Sequence, residues 1–152
     1  MAKILDRLKA EHAKIRVAVE ALLPRVARRP VSRMALEETL HMLDTRLAVH
    51  EREEEKLFKG AAPDLLAAVH AAHELIETGR GMLRNGLANW DMPAGGGPLA
   101  AVDRDALGDQ AEDVLRTILA QFEHEEQLVE ELERPTPESE ATPEAKARAA
   151  RA

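Results

Sequence analysis

The stretch Leu47-Ala48-Val49-His50-Glu51-Arg52-Glu53-Glu54-Glu55-Lys56-Leu57-Phe58 decides how this chain is read. Successive residues of an α-helix rotate by about 100°, so positions three, four and seven apart share a face. His50 lies three after Leu47 and seven after Leu43, and Glu54 lies four further on. Both continue the apolar stripe of Leu36, Leu40, Leu43 and Leu47 inward. The Glu51–Glu53–Glu54–Glu55 cluster taken alone would be a solvated face. A histidine and a glutamate on the apolar stripe change that reading, because an unpaired buried carboxylate is expensive.

Three more stretches repeat apolar residues at helical spacing. The first carries Ile4, Leu5, Leu8, Ile15, Val19, Leu22 and Leu23, then meets Pro24 and Pro30. The second contains the quoted stretch and runs from Ser32, a plausible N-cap, to Gly60. The third starts after Pro63 with Asp64, holds Leu66, Val69, Ile76 and Leu83, and ends near Asn85-Gly86. The fourth begins around Asp109 and carries Val114, Leu115, Ile118, Leu119, Phe122, Val129 and Leu132. Long amphipathic helices with short links pack as antiparallel neighbours. The pattern therefore predicts an all-α fold, an antiparallel up-down-up-down four-helix bundle over residues 1–133. The link from Gly86 to Leu107, with Pro93, Gly95-Gly96-Gly97 and Pro98, reads as a long flexible loop, with Trp90 placed to pin it. Residues 134–152 are polar and proline-bearing, and read as a disordered tail.

Composition supports helix and excludes several functions. Aromatic residues make up only 2% of the 152 residues, fewer than a β-sandwich or barrel normally uses. A net charge of −7 with no concentrated basic face argues against nucleic acid as a partner. The absence of cysteine removes disulfides, thiolate metal sites and cysteine nucleophiles together. No apolar run approaches the roughly 20 residues of a membrane span, and no secretory leader precedes the first amphipathic pattern. A cytoplasmic protein with no membrane partner, a monomer or weak homo-oligomer, is the expectation.

Helix phase also sorts the six histidines. His12 lies four after Leu8 and three before Ile15, on the buried stripe. His73 lies four after Val69 and three before Ile76, again central, with His70 on the flank of the same stripe. His41 and His124 face the polar side of their helices. The fourth segment instead turns Gln121 and Glu125 inward, three and seven after Ile118. Imidazole nitrogens and carboxylate oxygens converging in a bundle core are how such folds bind redox metals.

With those residues in view, the chain resembles the hemerythrin-like, histidine–histidine–glutamate cation-binding family. Leu8-Lys9-Ala10-Glu11-His12-Ala13-Lys14-Ile15 is similar to its first-helix motif, a histidine among apolar residues. His50-x-x-x-Glu54, followed by Leu57-Phe58, resembles the second-helix motif, and Ala72-His73-Glu74-Leu75-Ile76 the third. The likeness spans residues 1–133 with the motifs in order. The fourth motif departs from it: Gln121 stands where the family has a histidine, with Glu125 at the carboxylate position. Assigning the histidine role to His124 would put Leu128 at the carboxylate position, so that register is rejected.

The resemblance implies a non-haem di-iron centre bridged by the second- and fourth-helix carboxylates. His12, His50, Glu54 and Glu125 would furnish one half-site. The other would keep His73, the bridging carboxylates and His70 as a further candidate. There Gln121 offers only a weak amide-oxygen donor. Such a centre would bind or sense O2, NO or peroxide, or store iron. No residue reads as catalytic and no substrate pocket is identifiable, so a metal- or gas-binding protein is expected ahead of an enzyme. The alternative is a metal-free helical bundle acting as an interaction module, which the Gln121 departure favours.

Overall fold

The computed structural model describes residues 3–91 and 101–134. All its regular elements are helical, with no strand among the described residues. They are α1 (Lys3–Val26), α2 (Arg33–Met42), α3 (Ala48–Ala61), α4 (Leu66–Ala88) and α5 (Ala101–Glu133). A π-helical turn, Leu43–Leu47, joins α2 to α3 without a break, and a 3-10 turn, Pro63–Leu65, leads into α4. The described residues thus form four helical rods, the second of which is α2, the π turn and α3 together. No helix among the described residues is long and apolar enough to cross a membrane.

The second rod starts where the sequence says it should. The Ser32 hydroxyl accepts a hydrogen bond from the Ala35 amide at 3.2 Å, satisfying one of the free N–H groups of the first turn. Three other boundaries differ from the sequence reading. Helix α1 runs through Pro24 to Val26. Proline there forfeits one amide bond within a turn of the helix end, where little remains to be lost.

Helix α4 passes Asn85-Gly86 and ends at Ala88, and α5 begins at Ala101, two turns ahead of Asp109. Gly86, read as a helix end, and Gly108, just ahead of the expected start of the fourth helix, are both helical and are contact points. A methyl group on Gly86 would collide with the Leu107 side chain. One on Gly108 would lie 2.9 Å from Val31 Cγ2 and 3.1 Å from the Val26 carbonyl oxygen. Glycine is used here for close approach between helices rather than for a turn. Much of the expected Gly86–Leu107 loop is therefore helix, and residues 92–100 lie outside the described residues. So does the tail from residue 135, where disorder was expected. Trp90 is buried, with the Arg104 guanidinium 4.7 Å from its ring centre and donating to the Trp90 carbonyl.

Helix α1 packs on α5 and α2, and α4 packs on α5, α2 and α3, giving a bundle-like helical fold. The core has two parts. A larger apolar cluster includes Ile15, Val19, Leu43, Leu47, Ile76, Leu115, Ile118 and Phe122. A smaller one holds Leu8, Phe58, Ala62, Val69 and Val129. Along every rod, a polar buried residue separates the two. His12 falls between Leu8 and Ile15, His50 and Glu54 between Leu47 and Phe58, His73 between Val69 and Ile76, and Glu125 between Phe122 and Val129.

Candidate metal centre

Each rod delivers its polar residue by the same device. An apolar residue three or four positions away on either side fixes the face, and burial of those neighbours drags the polar residue inside. His12 is 0% exposed, Glu125 1% and Glu54 3%. Burial this deep is rare for ionisable groups unless they are paired or coordinate a metal. The π turn lies immediately ahead of His50, a helix distortion common beside functional sites.

Glu54 is the hub. Its Oε2 lies 3.1 Å from His12 Nε2 and 2.6 Å from His50 Nε2, while Oε1 lies 3.2 Å from His73 Nε2. Glu125 Oε1 lies 3.2 Å from His12 Nε2, and its other oxygen accepts from the Gln121 amide at 2.9 Å. The donor atoms fall into two triads, His12–His50–Glu54 and Glu54–His73–Glu125. Within each triad the donor atoms lie within 4.8 Å of one another. Ligands about 2.1 Å from a shared ion stand about 3 to 4.2 Å apart. The triads therefore have nearly the right size, and they share the two-oxygen carboxylate of Glu54.

Hydrogen bonding among these groups is incomplete in a way that fits an ion. His50 Nε2 is close to Glu54 Oε2 yet not aligned as a hydrogen bond, and neither ring nitrogen of His50 has a partner among the described residues. Glu125 Oε1 is likewise unpartnered. Buried polar atoms are nearly always paired, so a His50 Nε2 without a hydrogen bond beside the Glu54 carboxylate, with Glu125 Oε1 also lacking one, fits a ligand there. Three imidazoles with two carboxylates form a hard-to-borderline donor set suited to iron, zinc or manganese.

Protons occupy the cluster in the absence of a metal. Burial pulls the His12 pKa down, but hydrogen bonds to Glu125, Glu54 and Glu126 outweigh it and raise the value to about 9. For His73, burial again opposes, and Glu54, Glu55 and the charge of Glu51 raise it to about 9. Burial would push Glu54 up, yet contact with His12, His50 and His73 holds it far below the usual carboxylate range. Glu125 moves the other way, raised by burial and by the neighbouring Glu54 charge. One carboxylate is thus firmly anionic, and two imidazoles carry protons that an incoming cation must displace.

An outer layer fixes the rings. His12 Nδ1 donates to Glu126 Oε2 at 3.0 Å, and Arg16 holds that carboxylate at 2.9 Å. His73 Nδ1 donates to Glu55 Oε1 at 2.9 Å. Phe122 stacks on His12 at 3.9 Å with the rings 6° from parallel. With Nδ1 engaged outward, Nε2 of both rings is left facing the shared interior, the arrangement that orients metal-binding histidines. Arg80, buried beside His73, is bound by Glu51 at 2.9 Å and Glu77 at 3.0 Å.

The structure brings together His12, His50, Glu54, His73 and Glu125, all proposed from phase. Gln121 is half-buried and reaches the group through Glu125. His70 is not in either triad; it is exposed, with Nε2 3.6 Å from Glu55 Oε1. His41 and His124 are exposed, as the phase requires. Sequence reasoning missed Glu126, Glu55 and Arg80. Apolar periodicity reports which face is inside but not which flank meets which neighbour, and these residues sit on flanks. No family model, curated protein or solved structure matches the chain.

Proposed function

We propose that this chain is a hemerythrin-like protein that holds a non-haem di-iron centre and binds or senses O2, NO or peroxide, or stores iron. The observation that carries the reading is the sharing of Glu54 between two donor triads, one oxygen turned to each. An antiparallel up-down-up-down bundle is part of the proposal. It is supported by the order in which the rods meet the two apolar clusters. Helix α1 passes from the smaller cluster to the larger, the second rod from larger to smaller, α4 back again, and α5 returns. A cytoplasmic location belongs to the same reading.

Residue roles follow from the geometry. His12 and His50, with Glu54 Oε2, would hold the first ion, and Glu125 Oε1 lies within reach of the same place. His73, Glu54 Oε1 and Glu125 would hold the second, where Gln121 contributes an amide in place of an imidazole. Bound iron supplies an open coordination position for a small diatomic or peroxide ligand. The chain's own part is to exclude water from that position and to keep the rings turned inward. Phe122 covers the face of the His12 ring, while Glu126 and Glu55 hold the Nδ1 atoms of His12 and His73.

One observation favours the metal-free alternative. His12, His73, Glu54 and Glu125 pair with one another well enough to form a buried ionic network. His50 does not take part as a hydrogen-bonding member, which is why the metal reading is preferred. Elemental analysis of protein purified aerobically and anaerobically separates the two. Two irons per chain support the proposal, and a chain free of metal under both conditions supports the interaction module.

A further inference from the structure

Helix α4 turns a second stripe outward, opposite the one that carries His73. Ala68, Ala71, Leu75, Thr78, Met82 and Asn85 recur every three or four residues, all exposed and none charged. That is the spacing of a coiled-coil seam. The outward face of a helix is normally charged, the more so in a chain with 32% charged residues. Here Leu75 and Met82 stand 62% and 47% exposed, seven residues apart on one face. The outward face of α1 also holds alanines, but Val17 is its one large exposed apolar side chain among the described residues.

Beside this ridge lies a hollow. A groove of about 270 Å³ separates α4 from α5, lined by Leu75, Gly79 and Met82 on one side and Asp113, Val114 and Thr117 on the other. A methyl group on Gly79 would collide with the Val114 side chain, so the backbones approach closely and no side chain fills the surface above them. Seven residues on, Gly86 meets Leu107 in the same way. The level of Thr78 and Gly79 on α4 therefore corresponds to that of Val114 and Leu115 on α5.

An isologous two-fold contact requires each copy to offer both a ridge and a hollow on one patch. We propose that this face joins two copies of the chain, with α4 antiparallel to its counterpart and crossing it at Thr78 and Gly79. Leu75 then meets the partner's Met82, twice by symmetry. Charge decides the orientation. Glu74 and Asp113 are exposed and form no ion pair with a described residue. In the antiparallel register Asp113 falls opposite the partner's Arg116, and Glu74 near the partner's Arg84. A parallel pairing would instead set each carboxylate against its own copy. The seam is about 27 Å long, and across the width of two helices it covers roughly 500 Å² of each copy, the weak end of specific interfaces. No metal ligand takes part, so the proposal stands apart from the di-iron reading.

Sedimentation of the full chain at concentrations up to about 1 mM should show a monomer–dimer equilibrium. Leu75→Glu with Met82→Glu should weaken it at least tenfold; both side chains are exposed, and an unchanged circular dichroism spectrum shows that the helices are kept. The chain has no cysteine, so single introduced cysteines report contact. Thr78→Cys should cross-link two copies under diamide, and Val17→Cys should not. Asp113→Arg should weaken the dimer about fivefold, and Asp113→Arg with Arg116→Asp should restore it. A parent that stays monomeric, whatever else covers the face, overturns the proposal. So does a dimer that survives Leu75→Glu with Met82→Glu, cross-linking of Val17→Cys as fast as Thr78→Cys, or no recovery on the charge exchange.

Discussion

Raising the pH from 6.5 to 9 should destabilise the metal-free protein, and the buried cluster sets the size of the effect. His12 has its pKa raised from 6.5 to about 9 in the folded state. A group whose folded pKa is raised adds stability that is complete below its unfolded value and vanishes as pH passes its folded value. At 1.36 kcal/mol per pH unit, the His12 shift corresponds to about 3 kcal/mol lost across this window. His73 shifts in the same direction to about 9 but is less enclosed, so solvent screening makes its share smaller. Glu125, also raised, acts at lower pH and in the same sense. Urea unfolding of metal-free protein at pH 6.5 and pH 9 reads the difference directly. A midpoint that falls with unchanged slope, by about 3 kcal/mol or more, is the expected outcome. His12→Gln should flatten most of that dependence. Stability that is level or rising over this range would refute the assignment of His12 and His73 as protonated partners of Glu54.

Substitutions test the inner face of each rod. His50→Ala should lower metal content by at least half while His41→Ala leaves it unchanged, since only His50 is buried beside Glu54; equal loss by elemental analysis would remove the phase argument. Gln121→His should tighten iron at the weaker triad about tenfold or more, because an imidazole suits iron better than an amide oxygen, whereas His124→Ala should change nothing in the same titration. Metal lost on His124→Ala, with no gain from Gln121→His, would mean that α5 is rotated from this assignment. Gly108→Ala should cost about 1–3 kcal/mol, because the added methyl meets the Val26 carbonyl and Val31. A thermal midpoint equal to the parent would show that α1 and α5 approach less closely than described.

The sequence was most legible where one periodicity governed. His12, Glu54, His73 and Glu125 could be placed inside because each sits three or four residues from apolar neighbours that had to be buried. The second rod held one surprise at the same level. Thr39 is fully buried and Leu40 only partly, because the Thr39 hydroxyl donates to the Ala35 carbonyl at 2.8 Å and needs no outside partner. Glycine and proline were read less well. Gly86 is punctuation in a lone sequence but, like Gly108, a contact point between packed helices, and only the neighbour's position distinguishes the two uses. The outer partners of the histidines were invisible for a related reason. Glu126 follows Glu125 by one residue and Glu55 follows Glu54 by one, positions that a stripe argument assigns to the flank. Which flank meets His12 or His73 depends on how rods come together whose contacting residues lie 114 and 18 positions apart in sequence.

Anaerobic titration with Fe(II), comparing the parent chain with Glu54→Gln, tests the central claim most directly. Glu54 is the one residue common to both triads, and Gln preserves its volume while removing the charge and one acceptor oxygen. The account predicts two equivalents bound by the parent, the first more tightly than the second. It also predicts that Glu54→Gln, folded by circular dichroism, holds neither ion at concentrations that saturate the parent. No iron bound by the parent, or two equivalents retained by Glu54→Gln, would contradict it.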